Sequence, residues 1–84
     1  MIEILPLNNK LNTKVKVLGL EKKLKKQLSL FSENPHHLSL NTELLEPKEY
    51  GIYSFRIDRK YRALFIFRED KNSIEILNIT SHYQ

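Results

Sequence analysis

The chain has 84 residues, no cysteine, and 14 lysines and arginines against 10 acidic residues, which leaves a net charge of +4. A chain of this length admits one domain, 1–84, close to the lower limit at which a core holds without staples, and the missing cysteines exclude disulfides and thiolate metal centres as supports. No apolar run approaches the roughly 20 residues that span a bilayer, and the opening "MIEILPLNNK" carries no cleavage signal, so the expectation is a soluble, cytoplasmic protein with no membrane partner. The positive balance favours a polyanion or an acidic protein as partner.

In chain order, "IEIL" at residues 2–5 is β-prone, and Pro6 stops it, so it reads as a first strand. Residues 8–19, "NNKLNTKVKVLG", give mixed signals: three asparagines and a threonine argue against a robust helix, and "KVKVL" alternates like a strand. The expectation there is a weak helix or an irregular segment. In "LEKKLKKQLSLF", by contrast, Leu20, Leu24, Leu28 and Phe31 fall within roughly 80° on a helical wheel, which predicts an amphipathic helix. Lys22, Lys25 and Lys26 lie across from that stripe. The helix ends at "SENP", because Pro35 disfavours helical geometry at Asn34.

From Tyr50 onward the period changes to two. "YGIYSFRI" places Tyr53, Phe55 and Ile57 on one face and Ile52, Ser54 and Arg56 on the other; "YRALFIF" separates Tyr61, Ala63, Phe65 and Phe67 from Arg62, Leu64 and Ile66. The triplet "DRK" joins these strands as a tight hairpin, and "REDKNS" leads into a last strand, "IEILNIT". The predicted fold class is α+β: a small antiparallel sheet in the order β, helical segment, helix, βββ meander, with the helices packed on one face. Arg56 and Arg62 sit inside strands, where a guanidinium needs a carboxylate or a phosphate. Glu75 on a neighbouring strand is one such carboxylate, and a bound phosphate is the alternative. Tyr50, Tyr53 and Tyr61 read as packing residues. The adjacent His36 and His37 read as loop surface, far in sequence from His82 and no metal set.

The stretch "NPHHLSLNTELLEPKEYGIYSFRIDRKYRALFIFREDKNSIEILNITSHYQ" resembles the RelE/ParE superfamily of toxin–antitoxin toxins, most closely its YoeB-type mRNA interferases. The asparagine-proline after the long helix, "YGIYSFRI" followed by "DRKYRALF", and the terminal histidine-tyrosine pair carry that resemblance, which covers roughly residues 20–84. It implies a RelE-like fold and the toxin of a type II pair: a ribosome-dependent endoribonuclease that inhibits translation, with an acidic antitoxin and ribosome-bound mRNA as partners. Residue by residue it implies Glu43, Arg62, His82 and Tyr83 as catalytic, with Glu46 and Glu49 as alternatives to Glu43. Arg56, Arg59, Lys48 and Lys60 are the implied substrate-binding set, and Lys48 is the nearest counterpart of the lysines that another branch uses in place of the carboxylate. No metal or cofactor is implied. Two other readings of the resemblance stay open: a ParE-like toxin that inhibits gyrase by protein contact, and a degenerate module that only binds antitoxin.

The implied chemistry matches the residue types. Attack of a ribose 2′-hydroxyl on its own 3′-phosphate needs a base, a cation for the phosphorane charge and an acid for the leaving 5′-oxygen. Glu43 suits the first role and Arg62, aided by Arg56, the second. His82 suits the third, because its ordinary pKa of about 6.5 lets it hold a proton near neutrality. Tyr83 is placed to stack on a base or orient the phosphate.

Overall fold

A computed structural model of the chain describes residues 1–81. The elements run β1 (Glu3–Ile4), α1 (Asn9–Val17), α2 (Glu21–Glu33), a 3₁₀ turn (Leu38–Leu40), β2 (Glu43–Leu44), a second 3₁₀ turn (Lys48–Tyr50), β3 (Ile52–Arg56), β4 (Arg62–Phe67) and β5 (Ser73–Thr80). The five strands form one sheet in the order β1-β5-β4-β3-β2. Strands β2 to β5 pair antiparallel, whereas β1 joins the far edge parallel to β5.

The meander and the amphipathic helix follow the sequence periodicity. Leu20, Leu24 and Phe31 are buried and Leu28 half-buried, with Leu20 standing just before the first residue of α2 rather than inside it. Phe31 meets Phe65 edge-on at 5.0 Å and tilts against Phe55 at 5.5 Å, so one aromatic side chain pins α2 across β3 and β4. The inward positions Phe55, Ala63, Phe65, Ile74, Ile76 and Ile79 complete the core. The register sets Phe55 opposite Ala63 and Ala63 opposite Ile79, which keeps the three strands' apolar residues on one face.

Two segments differ from expectation. Residues 9–17 form a regular helix, because the asparagine that looked unfavourable is its cap: the Asn8 side chain accepts from the Leu11 amide at 2.8 Å. Leu11 and Val15 are buried at helical spacing, while Val17, which made the segment look like a strand, is 79% exposed. Gly19, at φ +68°, then reverses the chain, and the Leu20 amide closes a six-to-one bond to the Val15 carbonyl at 3.0 Å, bringing two apolar residues together at the helix junction. The second difference is β2. Glu43 pairs with Ser54 and Leu44 with Tyr53, a two-residue strand too short to leave a period in "TELLEPKE".

Candidate functional site

The face of the sheet away from the helices carries the outward residues of β3 and β4, and its chemistry gathers at one end. There Arg56 lies directly opposite Arg62, and Arg62 directly opposite Thr80. One step inward, Ser54 has Glu43 on one side and Leu64 on the other. Asn41, Glu43, Arg56, Asp58, Arg59, Lys60 and Arg62 line a cleft of about 230 Å³ at this corner.

Arg62 is only 9% exposed although its neighbour Arg56 is exposed. Its Nε donates to Ser54 Oγ at 2.9 Å, and one terminal nitrogen donates to the Asn41 carbonyl at 2.5 Å and, more weakly, to the Ser54 carbonyl at 3.4 Å. Asn41 holds a left-handed conformation, φ 45° and ψ 53°, at the end of the first 3₁₀ turn, which swings its carbonyl toward the guanidinium. The loop carrying Asn41 is tied to the body by polar contacts. Thr42 Oγ1 donates to the Pro35 carbonyl at 2.7 Å. Gln27, buried within the apolar face of α2, donates to the carbonyls of Arg56 at 2.7 Å and Ser39 at 3.3 Å.

The turn between β3 and β4 forms the opposite wall. The Asp58 carboxylate accepts from the Lys60 amide at 2.9 Å and the Tyr61 amide at 2.7 Å, and pairs with Lys23 of α2 at 3.1 Å. Burial alone pushes the Asp58 carboxyl up, but the Tyr61 and Lys60 amides together with Lys23 outweigh it and hold the carboxyl below its ordinary value. Asp58 thus fixes the turn that presents Arg59 and Lys60, both exposed, with the Lys60 ammonium over the Tyr61 ring at 5.4 Å.

Of the residues singled out in the sequence, Glu43, Arg56, Arg59, Lys60 and Arg62 therefore come together. His82 and Tyr83 lie outside the described residues; the strand that leads to them ends at Thr80, beside Arg62. Lys48 does not join the group. It starts the 3₁₀ turn preceding β3, at the opposite end of that strand from Arg56, and Glu46 and Glu49 belong to the same connection. At about 3.4 Å per residue, the four steps from Ile52 to Arg56 put that connection roughly 13 Å from the Arg56 end of the cleft, although Glu46 follows Glu43 by only three residues. Glu75, the proposed strand partner for an arginine, binds Arg68 at 2.6 Å. Sequence reasoning passed over Gln27, Asn41 and Asp58. Ser54 and Gln27 were legible only as polar residues in otherwise apolar positions, and Asn41 by its tolerance of a left-handed backbone.

No family model and no curated protein matches the chain. Solved structures do. A YoeB–YefM toxin–antitoxin heterotetramer from Staphylococcus aureus contains a chain that superposes with a TM-score of 0.71 at 21% identity, covering 99% of each chain. A YoeB/ParE toxin from Agrobacterium tumefaciens gives 0.71 at 13% identity over 98% of this chain and 100% of that one. A YoeB dimer from Staphylococcus aureus gives 0.66 at 23% identity over 98% and 95%. In fold, the chain is therefore of the RelE/ParE type, in its YoeB-like form.

Proposed function

We propose that this protein is the toxin of a type II toxin–antitoxin pair and cleaves mRNA on the ribosome without a metal ion. The observation that carries the reading is the pairing of Arg56 with Arg62. Like charges directly opposite on a sheet repel, and Arg59 and Lys60 add to the positive charge around a cleft that the carboxylates Glu43 and Asp58 also line, Asp58 being paired with Lys23. A phosphate between the two guanidiniums turns that repulsion into charge-assisted bonding. An RNA backbone supplies such a phosphate with a 2′-hydroxyl next to it.

In this reading Glu43 takes the proton from the 2′-hydroxyl as its oxygen bonds to phosphorus. Arg62 and Arg56 bear the charge that grows on the non-bridging oxygens. The bond from phosphorus to the 5′-oxygen breaks, and His82 protonates that oxygen, with Tyr83 orienting the phosphate. The products are a 2′,3′-cyclic phosphate and a free 5′-hydroxyl. The same cluster of cations suits an acidic segment of an antitoxin, the class of partner seen in the Staphylococcus aureus YoeB–YefM complex, and in this reading competition for the arginines explains neutralisation.

The test is deletion of residues 82–84. Removal of a general acid forfeits on the order of 10² to 10⁴ in rate, and a thermal melt of the truncated protein separates that loss from a loss of fold. The wild-type protein is expected to cut mRNA in a translating extract, as mapped by primer extension, and the truncation to fold, bind antitoxin and not cut. Full cleavage by the folded truncation would remove His82 and Tyr83 from the mechanism; absence of cleavage by the wild type would remove the nuclease reading itself.

A further inference from the structure

We infer that Ser54 and the backbone of Asn41 are positioning elements that set the guanidinium of Arg62 for phosphate. The inference rests on the nuclease reading but concerns residues that reading does not assign. Ser54 is fully buried in the middle of β3, and its hydroxyl oxygen receives the Arg62 Nε–H at 2.9 Å. A buried polar side chain in a strand is costly unless bonded, and this one is bonded to the arginine at the cleft. Asn41 holds the other end of the fork through its carbonyl, at 2.5 Å.

These two contacts fix the guanidinium plane. A guanidinium has its five N–H donors in a rigid fork, so holding Nε and one terminal nitrogen from the protein side leaves the group no freedom to rotate about its long stem. Arg56, directly across the ladder, is exposed, and among the described residues no such bonds hold its guanidinium. The two arginines thus divide the work: Arg56 supplies charge, and Arg62 supplies charge at a fixed orientation. The Asn41 contribution comes from the main chain, because its left-handed backbone, not its amide, aims the carbonyl.

The experiment follows the Arg62 Nε–H by NMR and the cleavage rate on programmed ribosomes together. In the wild-type protein that proton is expected to exchange with water at least about tenfold more slowly than its Arg56 counterpart, as a bonded, buried donor does. Ser54→Ala is expected to abolish the protection and lower kcat roughly ten- to hundredfold, the scale of a small misplacement of a binding group. The half-saturating ribosome concentration is expected to stay within about twofold, since the effect falls on orientation. Asn41→Gly, which retains the left-handed backbone, is expected to preserve both readouts, and Asn41→Val, which disfavours it, to lose both. Equal exchange of the two arginines in the wild type would overturn the clamp whether or not any variant folds. A folded Ser54→Ala protein with undiminished kcat would overturn the positioning role, while a wild type that cleaves nothing would overturn the nuclease reading and the positioning role with it, the exchange data still deciding the clamp.

Discussion

Two arginines bracket β4 and meet opposite circumstances. Arg68, one residue past the end of the strand, binds Glu75 at 2.6 Å with side chains 50% and 41% exposed, and shares its surroundings with Glu3, Glu69 and Asp70. Arg62, the first residue of the strand, is buried, donates to neutral oxygens of Ser54 and Asn41, and faces a second arginine. The hollow at Arg68 is the larger, about 540 Å³ against about 230 Å³ at Arg62. Size is the wrong guide here. An exposed arginine already paired with a carboxylate has little left to offer an anion, whereas in the proposed reading an oriented guanidinium with a second arginine across the ladder suits one.

Both ends share a single aromatic core, and the largest expected effect tests that. Phe31→Ala should cost about 3–5 kcal/mol, because the ring sits against Phe55, Phe65 and Phe67 at once. Hydrogen exchange should show the Arg62 and Arg68 ends losing protection together. If one end kept its protection, the two would be separate cooperative units and the contrast between them would extend to folding.

A smaller effect should be confined to one end. Gln27→Ala removes the donor to the Arg56 and Ser39 carbonyls and should cost about 1–3 kcal/mol. The Asn41 amide, bonded to the Leu38 carbonyl at 3.2 Å, should then exchange faster, while the Arg68 amide, bonded to Ser73 at 2.9 Å, should not change. Equal acceleration at both amides would show that Gln27 supports the whole sheet.

The smallest effect concerns Asp58. Its carboxyl lies below the ordinary value in the folded chain, so the unfolded chain binds that proton more readily. The stability it contributes is therefore complete above the unfolded value of about 3.9 and lost as pH falls through the lower folded value. Asp58→Asn keeps an oxygen for the turn amides but gives up the charge facing Lys23. It should cost at most about 1 kcal/mol at neutral pH and flatten the fall in melting temperature below about pH 4. An unaltered acid limb would mean that Asp58 does not hold the turn by charge.

Much of this molecule was legible because periodicity reports burial. The stripe Leu20, Leu24, Leu28, Phe31 and the alternation through β3 and β4 placed α2, the meander and both strand arginines on their observed faces. Capping is less visible: Asn8 lowered the apparent helicity of residues 8–19 while in fact starting α1, since the same side chain disfavours a helix interior and favours its first turn. A two-residue strand has no period, so β2 was invisible, although the family resemblance had singled out Glu43, which it carries and which lines the cleft. That Lys48 lies outside the cleft was hidden for a related reason, because nothing in "LLEPKEY" tells where the chain turns back. The supports of Arg62 were hidden because they are long-range and partly main-chain: Asn41 is 21 residues away and gives only a carbonyl.

The contrast between the two arginines is tested most directly by replacing each with alanine and mapping mRNA ends in a translating extract, with a thermal melt of every protein. The account predicts that Arg62→Ala loses cleavage on the order of 10² to 10³-fold, with Arg62→Lys impaired as well because an ammonium cannot reproduce the fork. Arg68→Ala should cut as the wild type does. A folded Arg62→Ala protein that cleaves at the wild-type rate would contradict the account, and so would an Arg68→Ala protein that is folded and inactive.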